Sequence, residues 1–152
     1  MKLVCDAMLG KLARYLRMLG IDAPYIHNIE YLKSCENEPE KPIFLTRRSI
    51  GSVPYDACIS ITSEHVEGQL REIRDLIKPF IHKDMLMSRC IRCNMPLDNV
   101  KKIDIEQFVP EYVLHSYDKF KACPSCRKVY WKGSHAEHMM GWIDKLMAEG
   151  KR

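Results

Sequence analysis

The stretch "KLVCDAMLGKLARYLRMLG", Lys2 to Gly20, decides how this chain begins to fold. Lys2 to Asp6 is a short apolar run closed by an acid, the pattern of a buried strand. Leu9, Leu12, Leu16 and Leu19 then recur at helical spacing, so one face of the next segment is apolar, and Gly20 stands where such a helix stops. Lys11, Arg14 and Arg17 are spaced three apart on the opposite side and share one arc of its surface.

Working outward, the strand candidate "APYIH" is followed by a short helix "IEYLKSC" and the polar break "ENEPEKP". The strand "IFLT", the turn "SIGSVPYD", the strand "CISIT" and a helix "SEHVEGQLREIRDLIK" complete the first half. Strands that alternate with helices predict an α/β fold with a parallel sheet covered on both faces. In such sheets ligands bind beyond the carboxyl ends of the strands. Asp6 stands there after the first strand, His27 and Asn28 after the second, Thr46, Arg47 and Arg48 after the third, and Ser63 and Glu64 after the fourth. Two acids on separate strands can share Mg²⁺ or Mn²⁺, since hard cations take oxygen ligands and keep waters or substrate phosphates for the rest. A plain reading stands beside it: Asp6 and Ser63 occupy N-cap positions, Glu64 favours a helix N-terminus, and Arg47 and Arg48 are turn residues.

The second half carries "CIRCNMPL" from Cys90 and "CPSCRKVYW" from Cys123. Cys90, Cys93, Cys123 and Cys126 form two C-x-x-C pairs, and four thiolates make a closed tetrahedral Zn²⁺ site that is structural rather than catalytic. A thioredoxin-type redox pair is disfavoured, because neither pair opens a helix after a strand. Around the second pair lie Lys119, Lys121, Arg127, Lys128 and Lys132, with Tyr130 and Trp131 among them. Cations contact phosphates and aromatic rings stack on unpaired bases, so the stretch reads as a single-strand RNA or DNA surface. It reads equally as a ribbon strand, Val129 to Trp131, whose rings pack on the neighbouring domain and whose lysines only solvate it. "GSHAEHMMGWIDKLM" is a terminal helix, and its His135 and His138 read as surface or interface residues.

The chain has 152 residues, and its 24 basic against 20 acidic side chains leave a net charge of +4, too small to prove a polyanionic partner. The seven cysteines are an odd number, which excludes complete disulfide pairing and agrees with metal binding in a reducing compartment. No apolar run is long enough to span a membrane, and Asp6 and Lys11 interrupt the start where a signal peptide would be apolar, so a cytoplasmic protein is expected.

The run "VCDAMLGKLARYLRMLGIDAPYI", the strand "IFLTR", the segment "EGQLREI" and the pairs "RCIRCNMPL" and "KACPSCRKVYWKGSH" together resemble the Mut-seven C-terminal ribonuclease family, in the family's order. The resemblance implies a PIN-like three-layer domain over residues 1–83, then a zinc ribbon with a terminal helix over 84–152. It also implies RNA phosphodiester hydrolysis with a divalent metal on a carboxylate cluster. Asp6 matches the family's first acid, Glu64 precedes the "QL" helix, and the four cysteines match the ribbon's ligands. The chain departs from the pattern after two strands. Arg48 stands where active members carry an acid, and His27 and Asn28 replace further carboxylates, leaving Glu30 nearest.

Exchanging a carboxylate for a guanidinium changes the local charge by two units, which repels a cation but suits a phosphate oxygen. Two function classes follow. In a weakened ribonuclease, Asp6 and Glu64 hold the metal, Glu30 or His27 assists, and Arg47 or Arg48 steadies the phosphate. In an inactive module that docks on RNA or on a ribonucleoprotein such as the ribosome, Lys11, Arg14, Arg17, Arg127, Lys128 and Trp131 supply the contacts. A third reading makes the ribbon a protein adaptor. Asp56, in the turn before the fourth strand, would rescue catalysis if it folded back to replace the acid missing at Arg48.

Overall fold

The computed structural model describes residues 1–149, apart from the side chain of His135. Its first half runs β1 (Leu3–Asp6), α1 (Gly10–Met18), β2 (Tyr25–Ile26), α2 (Tyr31–Cys35), β3 (Ile43–Thr46), β4 (Cys58–Ser60), α3 (Val66–Glu72) and α4 (Arg74–Ile77). The four strands are parallel, in the order β2-β1-β3-β4. The helix expected from Ser63 begins later, at Val66, because the Ser63 amide is held by the Glu72 carboxylate at 2.7 Å instead of entering a helical turn. It also breaks at Ile73, whose backbone leaves the helical region.

Pleating sends neighbouring strand residues to opposite faces, and both faces here are apolar. Leu3, Cys5 and Leu45 join Leu9, Leu12, Leu16, Leu70, Ile73 and Ile77 on one side of the sheet. Val4 and Phe44 pack with Leu32, Cys35, Val53 and Tyr55 on the other. The result is three layers, helix, sheet and helix. Each fully buried leucine in it contributes about 1.5–3 kcal/mol from desolvation alone.

How α1 ends determines where the second half docks. The Gly20 amide bonds to the Arg17 carbonyl at 3.0 Å and the Ile21 amide to the Leu16 carbonyl at 3.0 Å, the two bonds of a Schellman stop. Gly20 takes φ +82, and a Cβ built on it would lie 2.4 Å from the Met85 carbonyl oxygen. Only glycine fits where the linker to the ribbon crosses this turn.

The second half adds β5 (Asp98–Val100), α5 (Lys102–Ile105), α6 (Glu111–Ser116), β6 (Phe120–Ala122), β7 (Val129–Tyr130) and α7 (Ser134–Ala148). β5, β6 and β7 form an antiparallel sheet, and Ile105, Val109, Val113 and Phe120 make a small core beneath it. The terminal helix returns to the first unit: Ile143 and Leu146 enter its core, and Trp142 meets Tyr15 edge-on at 5.7 Å. No helix among the described residues is long and apolar enough to cross a membrane.

Candidate functional sites

Strand register assembles the rim. Asp6 lies opposite Ile26 of β2, Cys5 opposite Leu45, and Thr46 opposite Ser60 of β4, so Asp6, His27, Thr46 and Arg48 emerge at one edge of the sheet. Asp6 is buried and both of its carboxylate oxygens are engaged. Oδ1 accepts the Ala7 amide at 2.7 Å, which caps the turn leading into α1. Oδ2 accepts the Thr46 hydroxyl at 2.6 Å and lies 3.1 Å from Arg48 Nε. The Thr46 hydroxyl oxygen also accepts the Arg48 amide at 3.0 Å, which helps to hold the arginine over the acid.

The other sequence-derived acids are not among the groups that touch the Asp6 carboxylate. Glu64 is exposed, and among the described residues only its backbone carbonyl is engaged, by Gln69 Nε2 at 3.4 Å. Glu30 pairs with Lys33 at 3.2 Å, and the His27 ring packs edge-on against Tyr25 at 4.9 Å. Arg47 reaches the Thr62 carbonyl from Nη2 at 3.4 Å, across to the end of β4. Asp56 does not fold back to the rim: it precedes β4, at the amino end of the sheet, where it is exposed and paired with Lys41. Ser63 is not a helix cap, since its amide is bound by Glu72.

Beside the rim, α1 and the first cysteine turn enclose a groove of about 590 Å³. Lys11, Arg14, Arg17 and Arg92 bring four cations to it, and Tyr25 and Ile91 complete its walls. The Tyr25 hydroxyl donates to the Ala7 carbonyl, so the groove opens one residue from Asp6. The sequence grouped Arg17 with Lys11 and Arg14 as an exposed RNA contact, and the structure corrects this. Arg17 is 8 % exposed and donates to the carbonyls of Ala23 at 3.0 Å, Ile91 at 2.7 Å and Arg92 at 3.2 Å. Its guanidinium joins the two halves of the chain.

The cysteine cluster forms from two matching turns. The amides of Cys93 and Cys126 each point at the preceding sulfur, Cys90 or Cys123, at 3.4 Å. Asn94 and Arg127, next in each turn, take left-handed φ of 62 and 64 and return their amides to the carbonyls of Cys90 and Cys123, both at 2.9 Å. The four ligand atoms lie within 4.8 Å of one another. Cys90 and Cys126 Sγ are 3.6 Å apart, close to the roughly 3.8 Å edge of a tetrahedron with metal–sulfur bonds of about 2.3 Å. Burial raises the Cys90 pKa, but the Tyr130 hydroxyl and the amides of Cys93 and Arg92 outweigh it and bring the thiol to about 6. The set therefore fits a soft metal such as zinc.

In the ribbon, Arg127 and Lys128 are exposed, and Lys128 Nζ sits 5.4 Å over the Tyr130 ring. Trp131 is half-buried and tilted against Phe120 at 6.3 Å, so its ring serves the small core as well as the surface. His138 is exposed and is not a member of the cysteine cluster.

Sequence reasoning missed Arg92 and Tyr25 in the groove, Tyr130 on the Cys90 sulfur, and Asn94, which ties the first cysteine turn to Asp22 at 2.7 Å and to the Ala23 amide at 3.0 Å. The one available signal was Asn94 itself, a residue tolerant of left-handed backbone directly after a C-x-x-C turn.

Fold and sites together define a class, an open parallel α/β domain joined to a four-cysteine ribbon. Comparison with known families gives the particular one: residues 1–143 match the Mut7-C RNAse domain, and the chain belongs to that family of RNA-acting, nuclease-like domains. Comparison with curated proteins and with solved structures found no match.

Proposed function

We propose that this protein docks on RNA through the groove between α1 and the first cysteine turn, and that its rim has lost most or all hydrolytic power. The observation that carries this reading is the Asp6–Arg48 pair. Metal-dependent phosphodiester hydrolysis needs carboxylates with free lone pairs around a divalent cation. Here the one buried rim acid is taken by an amide, a hydroxyl and a guanidinium. An incoming Mg²⁺ or Mn²⁺ would have to displace Arg48 and then find its other ligands from Glu64, Glu30 or His27, which form no cluster of three potential metal ligands with Asp6 among the described residues. Lys11, Arg14 and Arg92 keep their charge at the neighbouring groove, and a phosphate backbone laid along them would be held without being cut. Zinc is the metal we assign to the four cysteines, in a structural role.

The test is to incubate the zinc-loaded protein with labelled single-stranded RNA and Mn²⁺ or Mg²⁺, beside Asp6→Asn and Arg48→Asp, with filter binding on the same RNA. We expect salt-sensitive binding, no cleavage above the Asp6→Asn background, and weaker binding by Lys11→Glu with Arg14→Glu. Wild-type cleavage that Asp6→Asn abolishes would overturn the loss of hydrolysis. Binding whose affinity does not change with salt would overturn the docking groove.

A further inference from the structure

The ribbon carries a second cleft, of about 630 Å³, which the rim and the α1 groove do not use. Its floor is a row of cross-strand neighbours, because the register sets Asn99 opposite Lys121 and Lys121 opposite Tyr130. Continuing the β6–β7 register brings Lys119 towards Lys132, and both line the same cleft. Like charges facing across a sheet oppose one another. The acid in the cleft, Asp118, is 98 % exposed and lies 3.6 Å from Lys102, so it does little to neutralise the three lysines. A bound anion would relieve their repulsion.

The wall is aromatic and offers two polar atoms. Tyr117 and Trp131 both line the cleft, and both flank Gly133: a Cβ there would lie 3.2 Å from the Tyr117 hydroxyl and 3.2 Å from Trp131 Nε1. The absence of a side chain at Gly133 lets the phenol and the indole edge approach each other. Neither polar atom has a hydrogen-bond partner among the described residues. A phosphate alone would need the lysines but not this wall, and an apolar ligand would need the wall but not the lysines. A unit that carries both a planar heterocycle with hydrogen-bonding edges and a phosphate uses all of it, and the volume lies in the usual range for a small-ligand pocket, about 300–1,000 Å³.

We infer that this cleft holds an unpaired nucleotide of an RNA strand, its base against Trp131 and Tyr117 and its phosphate among Lys119, Lys121 and Lys132. The inference rests on the RNA-docking reading and adds a division of labour: the α1 groove contacts backbone alone, and the ribbon requires a base that is not in a duplex.

The experiment uses the full zinc-loaded chain carrying Trp142→Phe, which leaves Trp131 as the single tryptophan. It is titrated with a short single-stranded oligoribonucleotide and with the matching duplex, reading tryptophan emission and filter binding together. The expected result is that the single strand quenches Trp131 while the duplex binds without quenching. Lys119→Gln with Lys132→Gln, both at exposed positions, is expected to weaken single-strand binding by about tenfold and to reduce the log–log salt slope by about two. Single-strand binding that leaves Trp131 emission unchanged, or an affinity indifferent to the two lysine substitutions, would overturn the cleft while leaving RNA docking intact. Failure of either RNA to bind would overturn the docking reading and the cleft with it.

Discussion

Arg17 Nη1 lies 2.7 Å from the carbonyl oxygen of Ile91, a bond between the first helix and the first cysteine turn across 74 positions of sequence. The same guanidinium binds the Ala23 and Arg92 carbonyls, so one side chain fixes the α1–β2 connection against the ribbon. Burial lowers its pKa, opposed by the neighbouring Cys5 and Cys90, yet a guanidinium remains charged at any physiological pH. Removing it leaves partly buried carbonyls without donors, each worth about 1–3 kcal/mol. Arg17→Met, which keeps most of the stem, is expected to lower unfolding free energy by about 2–4 kcal/mol in denaturant titration. A loss below about 1 kcal/mol would mean that water replaces the guanidinium at no cost.

Gly20 gives an independent check on how the halves meet. Gly20→Ala must place a methyl 2.4 Å from the Met85 carbonyl oxygen while holding φ at +82. Left-handed backbone alone costs a non-glycine residue about 1–2 kcal/mol, and the backbone clash adds to it. A fall of several degrees in melting temperature is expected, whereas Gly51→Ala, with open space around its Cβ position, should leave melting nearly unchanged. Equal effects of the two substitutions would show that the Met85 approach does not constrain the fold.

The sheet and the cysteine site were legible in sequence because each rests on local spacing. Strand β1, the leucine face of α1 and the two C-x-x-C pairs are all defined within a few residues. What could not be read depends on contacts between distant residues. Periodicity puts Arg17 on the same arc as Lys11 and Arg14, and nothing in it shows that the first cysteine turn covers that end of the arc. Likewise the acid at position 6 is visible, but its capture by the arginine at position 48 follows from adjacent parallel strands and from Thr46 bonding to both residues. Glu64 drew attention by lying directly after β4, whereas Glu72, a helix length further on, is the acid that reaches back to hold that connection.

Removing the metal tests how much of the second half depends on the cysteines. The small core of Ile105, Val109, Val113 and Phe120 is too slight to hold the ribbon alone, while four-thiolate zinc sites supply on the order of 10 kcal/mol to folding. One zinc per chain is expected by atomic spectroscopy. A strong chelator, or Cys93→Ser, should unfold the ribbon, and melting should become less cooperative as the ribbon uncouples from the first unit, in whose core α7 stays packed. Retention of the full melting transition without metal would show that the ribbon is held by packing on the first unit.

The connection after β4 makes stability depend on pH through Glu72. Burial raises its pKa, but the Ser63 side chain first, then the Thr62 and Ser63 amides and the Thr62 hydroxyl, together outweigh that and hold it below its ordinary value of 4.5. A carboxyl whose folded pKa is depressed contributes stability that is complete above the unfolded value and is lost as pH falls through the folded one. Glu72→Gln keeps the shape and removes the charge. The wild-type advantage over this variant should be constant from about pH 7 down to about pH 5 and should shrink below about pH 4. Both proteins lose zinc alike in acid, so the difference between their melting temperatures isolates the carboxylate. A difference independent of pH across that range would mean that the Ser63 and Thr62 donors bind neutral Glu72 as well as the ionised form, and that the connection is held by shape alone.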